Sequence, residues 1–358
     1  GNITTTGDTA YGLYLFNSNS NTTNLTGNIT TTGDTAFGLY LNTSDSNTTT
    51  INGNISTTGN AAFGLYLNTS DSNTTNLTGN ITTTGDAAYG LFFANSSDSN
   101  TTNLTGNINT AGTSASGLYL NTSDSNTTNL TGNITTTGEG ASYAVWINGG
   151  SGNNLNITGN ITTSGFMGYG YNFQNTTGNT LNMRGDISTA GSSAIGLDFI
   201  LGASNNTAVM TGNITTSGIN SHAVRNIAAN SNTITITGNL STSGDGSSAY
   251  AIFQGDSNTT IINGNLSTES VAARPISIIE GDSNITTING NITATGNAQG
   301  VWLLNSNNNT TTVTGNIITS DTGGNAEVIL LEGSDSNTFI LSGACLLYTS
   351  PSPRDGLL

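Results

Sequence analysis

Leu25-Thr26-Gly27-Asn28-Ile29-Thr30-Thr31-Thr32-Gly33 is the stretch that decides the fold, because versions of it return about every 26 residues until near the C-terminus. Each copy opens at a glycine: Gly1, Gly27, Gly53, Gly79, Gly106, Gly132, Gly159, Gly185, Gly212, Gly238, Gly264, Gly290 and Gly315, thirteen units in all. A chain of 358 residues could hold two or three globular domains. A fixed period in this range points instead to one solenoid.

Working outward from that stretch, each unit carries three short apolar segments. In the second unit they are Asn28 to Thr32, Phe37 to Leu41 and Thr48 to Ile51, each rich in β-branched or aromatic residues and alternating with a period of two. Turn residues separate them: Gly33-Asp34, then Asn42 to Asn47, then Gly53. Three strands and three turns make a triangular coil.

Columns through the units support stacking. Ile3, Ile29, Ile55, Ile81, Ile108 and their successors to Ile317 are never polar. Leu25, Ile51, Leu77, Leu104 and Leu130 lead a second column, always four positions before the next residue of the first. Unit lengths vary from 25 to 28, yet this junction never changes, so it should be the rigid corner. Thr5, Thr31, Thr57 and Thr83 head a third column that yields only to Ala294; its hydroxyls should point inward and bond to one another or to the turn backbone. Leu13 and Leu15, Leu39 and Leu41 complete the core from the second segment. The expected fold is all-β: a right-handed parallel β-helix of about 13 coils with three short strands per coil, rising about 62 Å at the usual strand spacing. Its open ends would expose strand edges.

Charge and composition exclude several functions. The formal charge is −16, and the only cations besides the N-terminus are Arg184, Arg225, Arg274 and Arg354, which argues against nucleic acid and anionic membrane surfaces. No apolar run is long enough to span a bilayer, so no membrane insertion is expected of this stretch. The chain begins without Met in mid-pattern, and we read it as a fragment whose export signal, if any, lies upstream. Arg274-Pro275 reads as an interruption of the eleventh unit.

The units, for example Asn28 to Tyr40, resemble the repeats of bacterial autotransporter passenger domains and related surface adhesins over residues 1–344. The resemblance implies a β-helix displayed on, or released from, a Gram-negative cell surface, acting as an adhesin, stalk or filament subunit. Its partners would be itself, end to end or laterally, or host-surface glycans and proteins, with an extracellular or outer-membrane-surface location. Cys345 to Asp355 breaks the pattern after Gly343 and resembles the translated read-through of a sequencing adapter, so residues 345–358 are set apart as a non-native tail. Without that tail the chain has no cysteine and no thiol chemistry.

Candidate chemistry is thin. The acids lie in turns: Asp8, Asp34 and Asp86 after the glycine corner, and Asp45, Asp71, Asp98 and Asp124 in Asp-Ser-Asn turns, where turn geometry alone accounts for them. A stacked Asp45 to Asp124 ladder could attract calcium, but the solvated ladder is the preferred reading, and no metal or cofactor is assigned. His222 has no nucleophile partner, so neither catalytic residues nor an enzyme is expected, a polysaccharide-degrading β-helix being the lesser alternative. Sequons such as Asn28-Ile29-Thr30 fall too close together for full glycosylation.

Two outward arrays remain. Tyr14, Tyr40, Tyr66, Phe92, Tyr119 and Trp146 alternate with inward leucines and should form an exposed aromatic rail, a platform for sugars or lateral contacts, although covering one another is the preferred reading. Thr4 and Thr6, Thr30 and Thr32, Thr82 and Thr84, and Thr135 and Thr137 form Thr-x-Thr pairs with spacings near those of ice. They resemble the threonine arrays of ice-binding solenoids and give the alternative function. Asn109 and Ala111 interrupt them. The near-identical early units place any array-dependent function in roughly the first 147 residues, with the later, drifting units as scaffold or a different surface.

Overall fold

A computed structural model describes residues 1–296, 299–321 and 327–349. Among these the chain forms strands and turns and no helix, arranged as three parallel sheets of 14, 13 and 13 strands. Each sheet takes every third strand, so the three segments of one unit go to three different sheets. The coil is therefore the parallel β-solenoid with three strands per turn that the repeat predicts.

The second unit shows how the residues set the coil. Its strands are Ile29–Thr31, Leu39–Asn42 and Thr48–Asn52. Ile29, Leu39, Leu41 and Ile51 are fully buried in one continuous core. The register between coils follows the repeat: Ile29 pairs with Ile55, Leu39 with Leu65 and Ile51 with Leu77. Like residues thus stack, and each coil buries its apolar side chains against its neighbours as well as across the bore.

The corner between third and first strands is only Gly53-Asn54. Its glycines need their lack of a side chain: Gly27 has φ +142°, and a Cβ there would run into the carbonyl of Gly1. The asparagine after it locks the step, since Asn54 N–H donates to Asn28 Oδ1 (2.8 Å) and Asn80 N–H to Asn54 Oδ1 (2.8 Å). Extra residues enter elsewhere. Where the second unit turns with Thr43 at φ 51°, the fourth uses both Asn95 (56°) and Ser96 (55°), so one inserted residue is absorbed as a second left-handed step.

Of the two partners expected for the inward threonines, the structure shows the turn backbone: Thr31, Thr57 and Thr83 donate their hydroxyls to the carbonyls of Ala36, Ala62 and Ala88 at 2.7, 2.7 and 2.8 Å, because the turn presents a carbonyl inside the bore. Two expectations need correcting. Arg274-Pro275 interrupts nothing. Arg274–Ile279 is a six-residue strand, and its proline sits near the start, where the ladder does not need its missing N–H. Finally, the break after Gly343 does not end the first sheet: Cys345–Thr349 adds a fourteenth strand beside Ile317–Asp321. An open edge asks only for backbone hydrogen bonds, so almost any extended segment can join it. The rest of the tail, residues 350–358, lies outside the described residues.

Candidate functional site

The outer face of the second sheet carries the most distinctive side chains. Register places Tyr14, Tyr40, Tyr66, Phe92, Tyr119 and Trp146 in one column. Successive rings lie parallel at centroid separations of 4.9, 4.8, 5.0, 5.0 and 4.1 Å. The column is more covered than simple alternation predicts. Tyr14 at the end is 42% exposed, but Tyr40 and Tyr119 are only 8% and 7% exposed.

What covers it is a second aromatic column that sequence reading missed. Tyr11, Phe37, Phe63 and Tyr89, each three positions before a ring of the first column, stack on one another at 5.2, 4.9 and 5.1 Å. They meet the first column edge-on: Phe37 and Tyr40 are 5.0 Å apart at 80°, Phe63 and Tyr66 5.2 Å at 80°. This is the favourable T-shaped arrangement, repeated coil by coil. The signal was available as the recurring aromatic-Gly-Leu-aromatic tetrad, as in Phe37-Gly38-Leu39-Tyr40. Alternation from Phe37 to Leu41 hides it by putting Phe37 in the strand, whereas the strand begins at Leu39. Burial, with smaller effects from neighbouring tyrosines, pushes the Tyr40 phenol up to about 12, so it stays protonated.

Beyond Trp146 the same column turns polar through Asn172, Asp198 and Arg225. The Asp198 carboxylate is fully buried and accepts from Asn172 Nδ2 (3.0 Å), Arg225 Nε (2.9 Å) and Arg225 Nη2 (2.8 Å). His222 lies beside this pair. Its Nδ1 accepts from the Ser248 N–H at 2.9 Å, and burial together with the Arg225 charge lowers its pKa to about 3. A neutral His222 with Nδ1 as acceptor carries its proton on Nε2.

The threonine pairs divide. Thr4, Thr30, Thr82 and Thr135 share one register column of the first sheet, linked through Ser56 and Asn109. Thr6, Thr32, Thr84 and Thr137 lie just past the three-residue strands. Thr32 and Thr84 still join the coil below, since Thr32 N–H donates to Thr5 O at 3.1 Å and Thr84 N–H to Thr57 O at 3.1 Å. On the third sheet Asn76, Asn103, Asn129, Asn156 and Asn182 form an amide ladder with links of 2.8 to 2.9 Å.

The turn acids cap backbone. Asp71 N–H donates to Asp45 (2.9 Å), Asp98 N–H to Asp71 (2.8 Å), Asp124 N–H to Asp98 (2.7 Å) and Ser151 N–H to Asp124 (2.6 Å). Asp34 does the same for Asn60 at 2.7 Å. Among the described residues no three His, Cys, Asp or Glu side chains converge as a metal site would require.

No protein-family model matches the chain, and no curated protein sequence matches it. Among solved structures it is similar to Vag8 in its complex with C1 inhibitor, at 16% identity and a TM-score of 0.53, over 98% of this chain and 100% of that one. A weaker likeness, at 10% identity and a TM-score of 0.45 over 91% of each chain, is to the A-module of the mannuronan C-5 epimerase AlgE6 of Azotobacter vinelandii. At 16% identity, the Vag8 likeness shows the shared β-helical fold.

Proposed function

We propose that the chain is part of a secreted or surface-displayed fibrous protein, an adhesin or stalk, whose β-helix holds one surface in many copies. The observation that carries this reading is the double aromatic column, which repeats in register on the coils from Tyr11 and Tyr14 to Tyr89 and Phe92 and leaves Tyr14 exposed and Tyr66 and Phe92 half-buried. A stiff rod bearing a similar contact on successive coils turns weak contacts into a strong one through effective concentration. The Vag8 structure, with a β-helix held in complex with another protein, supports a binding role for such a scaffold. So does the resemblance of the repeats to autotransporter passengers.

In this reading residues 1–344 are the functional rod, residues 345–358 contribute nothing, and the location is extracellular or on the bacterial outer surface. Catalysis is set aside because the turn carboxylates serve backbone N–H groups. Ice binding is set aside because the second threonine column lies beyond the strand ends and Asn109 and Ala111 interrupt the two columns. Among the described residues no helix is long and apolar enough to cross a membrane. The test is adhesion of beads coated with residues 1–344 to epithelial cells and immobilised glycans, with Tyr14→Ser plus Tyr66→Ser as the variant. Retention falling by about tenfold in the variant would support the aromatic surface as the contact. Equal retention of both proteins would overturn it.

A further inference from the structure

The outward column of the second sheet changes once more after Arg225. Arg225 pairs with Ala251, Ala251 with Ser277, and Ser277 with Trp302. On this part of the face lies a groove of about 450 Å³, with His222, Arg225, Ser248, Phe253, Arg274 and Ser277 among its lining. That volume falls in the range of small-ligand sites. Two strand spacings, about 9.6 Å, separate Arg225 from Ser277, which is room for one pyranose ring.

The groove is chemically unlike the rest of the surface. Two of the four arginines of a chain with net charge −16 line it. Arg225 is neutralised by Asp198, but Arg274 is not. The Arg274 guanidinium lies 3.9 Å from the centre of the Trp302 ring and donates Nε–H to Gln299 Oε1 at 2.7 Å. Among the described residues it has no carboxylate partner, and its Nη groups have no acceptor. Partial burial lowers its pKa from the usual arginine value, a desolvation that a bound anion would offset. Stacking on the indole fixes the fork, so little freedom is lost when it grips a planar anion.

The other walls narrow the ligand. His222 carries its proton on Nε2, a neutral donor, because Nδ1 accepts from Ser248 N–H. The hydroxyls of Ser248 and Ser277 are further polar groups along the floor, and Phe253 with Ile227 and Ile279 forms an apolar side. An inorganic anion would use only the guanidinium. A ligand with a carboxylate, several hydroxyls and a C–H face uses every wall.

We propose that this groove binds a carboxylate-bearing sugar, a uronic-acid unit of an acidic glycan, with its carboxylate on Arg274, its hydroxyls on Ser248, Ser277 and His222, and its C–H face on Phe253. The site lies on the later coils, apart from the aromatic columns, and does not rest on the adhesin reading. The test is isothermal titration of the full chain with tri-galacturonate, beside neutral galactotriose, for wild type, Arg274→Gln, Ser277→Tyr and the remote control Thr30→Ala. Each protein is first checked by circular dichroism. Expected are saturable binding of tri-galacturonate, a loss of about tenfold in Arg274→Gln, near-abolition in Ser277→Tyr, and no change in Thr30→Ala. Saturation-transfer NMR on the wild type, comparing the two sugars, gives a reading that needs no variant. No binding of tri-galacturonate, equal binding of galactotriose, or full binding by folded Arg274→Gln and Ser277→Tyr would each overturn the proposal.

Discussion

Thr102 holds its hydroxyl inside the bore of the third sheet, where no protein acceptor among the described residues meets it, and Thr49, Thr75 and Thr128 do the same. The equivalent positions in the next coils are Leu155, Leu181, Ala208 and Ile234, all buried, before threonine returns at Thr260. A buried hydroxyl without a partner is costly, and valine has nearly the same shape. Thr102→Val should therefore raise stability by roughly 1 kcal/mol in a denaturant titration. A loss of stability would show that the hydroxyl is satisfied in solution. His222 gives a second residue-scale test. Burial and the Arg225 charge lower its pKa from the ordinary histidine value of 6.5 to about 3, so the folded state takes up a proton less readily than the unfolded chain. Its contribution is complete above about pH 6.5 and is lost as pH falls toward about 3. Wild type should lose more Tm between pH 7 and pH 4 than His222→Leu. Parallel losses would disprove the assignment.

At the scale of the element, the asparagine ladders show how burial sets the worth of one interaction. Asn100 is buried, donates Nδ2–H to Asn126 Oδ1 (3.1 Å) and Ser70 O (2.8 Å), and accepts from Asn73 N–H (2.9 Å). Asn103 makes a similar side-chain link, to Asn76 at 2.8 Å, but on the half-exposed outer face. Asn100→Ala leaves several buried groups unpaired and should cost about 2–4 kcal/mol, whereas at Asn103→Ala water replaces the bond and the cost should stay below about 1 kcal/mol. Because each coil touches only its neighbours, hydrogen exchange should quicken mainly in the coils beside residue 100. A uniform rise along the rod would contradict that picture. In sequence the Asp-Ser-Asn turns account for their acids by turn geometry alone and assign the asparagine no role. The asparagine of each turn is instead a buried rung, and nothing in a single turn distinguishes the two, because the bond partner lies one coil away.

For the whole molecule, the stack of coils leaves strands Ile3–Thr5 and Leu13–Phe16 as edges of their sheets. Tyr14 and Phe16 at that end are both well exposed. Unpaired N–H and C=O groups beside apolar side chains favour pairing with another chain. A polypeptide of residues 1–344 should therefore associate in a concentration-dependent way in sedimentation velocity, and Leu15→Lys plus Phe16→Lys should weaken it. A single monomeric species at high concentration would disprove end-to-end association. Removing residues 345–358 should leave adhesion unchanged, since that tail repeats none of the pattern found before it.

The sequence by itself determined the coil. A period of about 26 residues with invariant apolar positions such as Ile29 and Ile55 leaves one way to bury those side chains, and that way fixes strands, register and the rigid Gly-Asn corner. It also placed Asp198 and Arg225 in the column of Tyr14. Tertiary structure alone decided what the outward and turn residues do. Whether Tyr40 is bare or covered depends on Phe37 folding over it, whether Thr32 lies within the strand depends on where that strand ends, and whether Arg274 opens onto a groove depends on Ser277 in its own coil and on Ser248 and Phe253 in the coil below. The physical reason is common to all three. Inward positions are constrained by a bore that every coil shares, so they repeat and can be read, whereas outward positions are set by contacts between coils that one period of sequence does not contain.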